Sequence, residues 1–175
     1  FAGIGGNRIG FETVGARCVF SSEWNRFAKD TYTANFADIP DGDITQINSD
    51  QIPDHDILLA GFPCQPFSLA GTPKLRSLGR PDGYAASEQG NLFIEIARIL
   101  KQKSPAAFFL ENVKNLRTHD KEKTFKVIKN YLNALGYHFR FKIIDASYVV
   151  PQHRERIYIV GFKDEVFFKA FEWPE

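Results

Sequence analysis

Asp56-Ile57-Leu58-Leu59-Ala60-Gly61 is a short, unbroken apolar run closed by glycine, and Ala106-Ala107-Phe108-Phe109-Leu110 is a second of the same kind. Runs of this length without polar alternation fit strands buried on both faces, as in parallel sheets covered by helices. Between them Leu92, Phe93, Ile96, Ile99 and Leu100 recur at helical spacing, so the unit reads strand, helix, strand. The same alternation continues outward. Upstream, Asn7 to Val14 and Asn25 to Phe36 predict helices on either side of a strand at Arg17-Cys18-Val19-Phe20. Downstream, Phe125, Ile128, Tyr131, Leu132 and Leu135 mark a helix closed by Gly136, followed by strands at Tyr137 to Ala146 and Arg156 to Phe162. The pattern predicts an α/β domain with a mostly parallel sheet.

Composition narrows the class. The 175 residues, 43% of them hydrophobic and 17 of them phenylalanine, exclude a disordered chain. No run approaches the roughly 18 apolar residues of a membrane span, and no basic-then-apolar signal peptide is present. The two cysteines, Cys18 and Cys64, are too few for a disulfide framework, and no Cys/His cluster has the spacing of a metal site. A reducing, cytosolic compartment is the expectation. A net charge of +1 makes no case of its own for a nucleic-acid partner. The chain contains no methionine and opens on Phe1; it reads as one domain cut from a longer protein.

In α/β sheets ligands sit outside the carboxyl ends of the strands, and four constellations fall there. The first is Phe1-Ala2-Gly3-Ile4-Gly5-Gly6, followed by Glu23-Trp24. Glycines between strand and helix let backbone approach a ligand, and a carboxylate about 20 residues on can accept from ribose hydroxyls. A glycine turn serves tight strand-to-helix packing equally well. Asp43, before Ile44, is a second carboxylate expected at a strand end, or an ordinary turn aspartate. The second constellation is Gly61-Phe62-Pro63-Cys64-Gln65-Pro66-Phe67-Ser68. Cys18 sits in an apolar stretch and fits an inert buried thiol. Cys64, held between two prolines, opens a long glycine- and proline-rich segment and is a candidate thiolate nucleophile. The third is Leu110-Glu111-Asn112-Val113, where the carboxylate is either a helix cap or a catalytic acid. The fourth is Gln152-His153-Arg154-Glu155-Arg156, in which alternation puts Arg154 and Arg156 on one face of an extended segment. The bland alternative is a solvated charge cluster.

Taken together, in this order and across essentially all of residues 1–175, these blocks resemble the DNA (cytosine-5)-methyltransferases. The resemblance implies a Rossmann-like S-adenosylmethionine (SAM)-dependent methyltransferase fold. Its mostly parallel twisted sheet carries helices on both faces and an antiparallel strand near the C-terminus. It also implies transfer of a methyl group from SAM to carbon 5 of a cytosine flipped out of double-stranded DNA. Cys64 matches the nucleophile that adds to carbon 6, and Glu111 the acid that engages N3 and the exocyclic amine. Arg156 matches the residue that bonds O2, and Arg154 its neighbour that steadies nucleophile and base. Gln65, Ser68 and Asn112 match substrate-positioning residues, Asn112 by bracing the Pro63-Cys64 turn. Phe1, Gly3, Ile4, Gly6, Glu23, Trp24, Asp43, Ile44, Gly61, Pro63 and Leu92 match the cofactor pocket, with Glu23 on the ribose and Asp43 and Ile44 on the adenine. No metal is implied.

The segment Gln65 to Gly90 matches a loop that closes over DNA. Its Ser77-Leu78-Gly79-Arg80 and Gln89-Gly90-Asn91-Leu92-Phe93 look like the Dcm-type bacterial enzymes, whose target is CCWGG. Residues 1–175 correspond to the catalytic and SAM-binding large domain. The family's target-recognition domain and final C-terminal segment have no counterpart here. The fragment alone is accordingly expected to bind SAM weakly and to methylate DNA poorly. The family context implies a bacterial, cytoplasmic, nucleoid-associated monomer without membrane contact. It stands in a restriction–modification system with a cognate restriction endonuclease, or as an orphan. Three other readings stay open: the same chemistry on tRNA, a SAM- or nucleic-acid-binding module that has lost catalysis, and a nicotinamide dehydrogenase.

Overall fold

The computed structural model describes residues 1–63 and 92–174. In chain order these form α1 (Gly6–Glu12), α2 (Arg26–Phe36), β1 (Ile57–Gly61), α3 (Leu92–Lys103), β2 (Ala107–Val113), α4 (Lys123–Ala134), β3 (His138–Asp145), β4 (Glu155–Phe162) and α5 (Glu165–Ala170). The strands make one sheet in the order β1-β2-β4-β3. β1 and β2 are parallel, and β4 runs antiparallel to both β2 and β3. Three of these four strands therefore share a direction, and the one reversed strand is the last, as the family resemblance implies.

Side-chain alternation divides β2 between two faces. Phe108 and Leu110 point into a core with Ile157 and Ile159 of β4, Ile96 and Leu100 of α3, and Phe125, Ile128 and Leu132 of α4. All nine are almost wholly buried. The apolar positions of α3 and α4 recur every three to four residues, so each helix lays one stripe on this face. Phe109 points the other way, its ring edge-on to Phe11 of α1 at 5.6 Å and tilted against Tyr158 at 5.4 Å. α5 covers the far end of that second face, where Phe168 packs on His138 and under the Arg140 guanidinium. Helices thus lie on both faces.

Short connections fix which end of the sheet is which. Three residues separate α3 from β2 and three separate α4 from β3, so both helices start near the carboxyl ends of β1 and β2. Gly136, at φ 76°, reverses the chain after α4, a left-handed position that glycine takes without a Cβ penalty.

Two expectations need correction. Arg17–Phe20 forms no strand; the nearest pairing is an isolated parallel bridge just beyond it, Ser22 with Asp41. The apolar run is short and gives way at once to Ser21, Ser22 and Glu23, whose groups bond turns instead. Asp43 consequently stands not at a strand end but as the cap of a single 3-10 turn, Ile44–Gln46, accepting from the Thr45 amide at 2.9 Å. α5, in turn, has no counterpart in the sequence reading.

Candidate active site

Two groups of residues make up the site, one at the carboxyl end of β2 and one on turns packed beside α3. The first rides on strands. Register places Gly61 beside Glu111 and Val113 beside Arg156, and antiparallel partners present their side chains to the same face. Glu111 and Arg156 are thereby brought together, Arg156 Nε donating to Glu111 Oε1 at 2.8 Å. Arg154 Nη2 stands 3.9 Å from the same oxygen. Gly61 leaves room for the carboxylate: a Cβ there would lie 3.3 Å from Glu111 Oε2. Across the ladder, Tyr158 has its hydroxyl pKa raised, first by burial and then by the Glu111 charge, with Arg154 and Arg156 opposing.

Asn112 points to the opposite face and is 1% exposed. Its Nδ2 donates to the Phe62 carbonyl at 2.8 Å, and its Oδ1 accepts from the Val113 amide at 2.8 Å. A buried amide with its partners met is a stable clamp. Here it fixes the chain one residue before Pro63. Cys64, Gln65 and Ser68 lie outside the described residues.

Behind the arginines, Asp145 gathers the turn from β3 to β4. It accepts from the Ser147 and Arg154 amides at 3.1 and 2.8 Å and pairs with the His153 ring. Desolvation is the largest single influence and raises the carboxyl pKa, but the hydrogen bonds together outweigh it and hold the group down at about 2. Beside them Lys114 pairs with Glu155. An open hollow is lined by Val113, Lys114, Asn115 and the run from Gln152 to Arg156.

The second group rides on turns. Glu23, 8% exposed, accepts the Gly3 amide on Oε2 at 2.8 Å and the Asn25 amide on Oε1 at 3.0 Å. Each oxygen keeps a lone pair, so the carboxylate can still accept from a vicinal diol. Gly5 (φ 94°) lets the turn lie against α2: a Cβ there would come 2.1 Å from the Phe36 ring. Ile4 and Trp24 are 57% and 66% exposed, leaving two apolar surfaces open beside Glu23. This acceptor and these surfaces fit a nucleoside cofactor, for which Glu23 is the carboxylate that would meet ribose hydroxyls. Gly6 opens α1. Ile44 turns its side chain into a small core with Ile52 and Ile99, against which Phe1 and Leu92 pack. Phe1, Leu58 and Leu92 also touch the main core, joining the two groups. Pro63 is exposed at the mouth of β1.

Arg98 was not legible as a site residue. Its Nε pairs with Glu95 at 2.7 Å, Nη1 meets the buried Ser49 hydroxyl, and Nη2 reaches the carbonyls of Ile44 and Ile47 at 3.2 and 3.1 Å. One guanidinium staples the turn after Asp43 to α3. The only sequence signal is an arginine interrupting the apolar run Ile96-Ala97-Arg98-Ile99-Leu100. Nothing local names partners some fifty residues away.

Comparison with known proteins follows the same lines. The Type II methyltransferase M.HhaI of Haemophilus parahaemolyticus is 47% identical over 176 residues, covering 100% of this chain and 51% of that protein. M.HaeII of Haemophilus aegyptius is 54% identical, covering 100% and 52%. The DNA-cytosine methyltransferase of Escherichia coli K12 is 48% identical, covering 97% and 42%. The chain thus spans about half the length of the curated relatives it matches. Among solved structures, a Spodoptera frugiperda DNMT2 mutant superposes with TM-score 0.73 at 23% identity, over 100% of this chain and 50% of that one. Likeness at that identity speaks for the fold. The family model for C-5 cytosine-specific DNA methylase matches residues 1–175, and with relatives this similar the chain belongs to that family.

Proposed function

We propose that the protein carrying this chain methylates carbon 5 of cytosine in double-stranded DNA, with Cys64 as nucleophile and SAM as methyl donor. The observation that carries the reading is the pairing of Glu111 with Arg156 at the end of β2 while Asn112 holds the Phe62 carbonyl. The end of β2 thus supplies an acid and a clamp on the turn that leads to Cys64, and the adjacent start of β4 supplies a base-facing cation.

The target cytosine must leave the duplex stack for its carbon 6 to be reached. The Cys64 thiolate then forms a bond to carbon 6, and the displaced electron pair moves into the ring. The Glu111 carboxyl, carrying a proton in the base complex, gives it to N3 while its other oxygen accepts from the exocyclic amine, so the negative charge is taken up as carbon 5 becomes nucleophilic. Arg156 contacts O2, and its 2.8 Å bond to Glu111 orients both groups before the base arrives. When bound, SAM supplies a methyl group that leaves behind a neutral thioether. Loss of the carbon 5 proton to a base re-forms the ring double bond and expels Cys64 as thiolate. On the cofactor side Glu23 takes the ribose hydroxyls, Ile4 and Trp24 flank the nucleoside, and the Asp43 turn receives the adenine.

The relatives named as Type II methyltransferases support a place in a bacterial restriction–modification system, with a cognate endonuclease as partner. Among the described residues no helix is long and apolar enough to cross a membrane.

The test uses the full-length protein with methyl-tritiated SAM, offering unmethylated duplex DNA and bulk tRNA, each beside a Cys64→Ser control. Label entering DNA as 5-methylcytosine, and lost in the variant, is the expected result. Label entering only tRNA overturns the substrate. SAM binding without label in either overturns the activity.

A further inference from the structure

The stretch that leaves the carboxyl end of β2 carries Lys114, Arg117, Lys121, Lys123 and Lys126 against only Asp120 and Glu122, in a chain whose net charge is +1. Seven lysines and arginines among the described residues have side chains with no hydrogen-bond, ion-pair or ring partner: Arg17, Lys29, Lys101, Arg117, Lys121, Lys123 and Lys126. Four of the seven fall between 117 and 126, and all four are exposed.

Helix α4 carries its lysines at the less favourable end. An N-terminus favours acids and a C-terminus favours bases, each by about 0.3–1 kcal/mol. α3 follows the rule with Glu95 in its first turn and Lys101 and Lys103 in its last. α5 follows it with a capping Asp164, Glu165 first and Lys169 last. α4 departs from it: Lys123 and Lys126 stand in the opening turn, the only acid at that end is the cap Glu122, whose side chain makes no capping bond, and no base stands in the last turn. The preceding backbone is also strained, because Asp120, Lys121 and Glu122 have φ of 47°, 52° and 69° without being glycine. That turn is nonetheless built rather than loose. His119 Nδ1 bonds the buried Thr124 hydroxyl at 2.7 Å, and the His119 amide donates to Asn115 at 2.8 Å. Where local rules are broken in a well-formed element, function is the usual reason.

Topology places this ledge. α4 starts at the carboxyl edge of the sheet, and Lys114 and Asn115 line the same hollow as Arg154 and Arg156. We propose that residues 114–126 form a preformed docking ledge for the sugar-phosphate backbone of duplex DNA, with Arg117, Lys121, Lys123 and Lys126 contacting phosphates flanking the base presented to Glu111. The proposal rests on the DNA reading above. Unpaired cations at the start of a helix, backed by its dipole, suit a polyanion and carry no base specificity.

The experiment measures Kd of the full-length protein for a short duplex across KCl concentrations, for wild type, Arg117→Gln/Lys121→Gln/Lys123→Gln and Lys101→Gln. Lys101, at the last turn of α3 on the opposite edge, is the control. The triple variant is expected to lose about one unit of slope in log Kd against log salt per contact removed, with Kd near 100 mM salt up roughly tenfold or more. SAM affinity and kcat at saturating DNA stay unchanged, and Lys101→Gln keeps the wild-type slope. An unchanged slope in the triple variant overturns the ledge, as does an equal loss in Lys101→Gln. Wild type that binds the duplex through the ledge but transfers no methyl group sinks the activity and leaves the ledge standing. Wild type that ignores duplex and binds tRNA sinks the duplex assignment.

Discussion

The two halves of the candidate site are built by different means. The base side has Glu111, Asn112 and Arg156 on adjacent strands whose ladders fix side-chain position to within a register step, with Arg154 one residue before β4. The cofactor side, Glu23 with Gly3, Asp43 and the Ile44 turn, has no ladder beyond one isolated bridge. It holds together through amides donated to Glu23 and through the Arg98 guanidinium. A strand-borne site gets its geometry from the fold's main hydrogen bonds. A turn-borne site needs dedicated side chains to stand in for them, and those side chains become separable points of failure.

The largest expected effect breaks the base side without touching the fold. Glu111→Gln keeps volume and one acceptor but loses the charge paired to Arg156. Its kcat should fall by about 10²–10⁴-fold, the range for removing a positioned acid or base, with SAM affinity unchanged in calorimetry. A parallel loss of SAM binding would show that the two halves are not separable. Next is Gly5→Ala, which adds a Cβ 2.1 Å from the Phe36 ring at φ 94°. Backbone strain and overpacking together should lower stability by about 2–4 kcal/mol, read from the midpoint of urea unfolding.

Arg98→Ala sharpens the comparison, since it removes the staple under the Asp43 turn. KM for SAM should rise about tenfold, equivalent to one charge-assisted hydrogen bond, while kcat and KM for DNA hold. Arg98→Lys should recover little, because an ammonium cannot span two carbonyls and a carboxylate as a planar fork does. The smallest effect concerns the turn behind the arginines. The Asp145 carboxyl lies at about 2 rather than the ordinary 3.8. A depressed carboxyl contributes stability that is full above about pH 4 and lost as pH falls toward 2. Thermal melts of wild type should therefore drop more steeply across that window than those of Asp145→Asn.

Much of the fold was legible because burial leaves a period in the sequence. β1, β2, α3 and α4 follow from apolar runs and three-to-four spacing, and Gly136 from its place after the last apolar residue of α4. Glu111, Arg154 and Arg156 stood out for the same reason, since strand termini follow directly from strand ends. Arg17–Phe20 misled because an apolar run states a preference for extended backbone but not the presence of a partner strand. α5 escaped because its six residues carry too little pattern, although Asp164 before it is a capping residue. Arg98 escaped because its role lies in carbonyls of Ile44 and Ile47, and any residue could supply those.

The sequence by itself determined the kind and order of the central elements from β1 to β4, the faces they bury and the chemical groups at the strand ends. These depend on side-chain polarity and backbone preference within a few residues. Tertiary structure alone decided that β4 enters between β2 and β3, so that Val113 lies opposite Arg156 and Glu111 meets its arginine. It also decided that the Asp43 turn hangs from α3. Both outcomes join residues more than forty positions apart. Alternation says which way a side chain points, whereas the packing of helices on the whole sheet chooses which strand lies beside it.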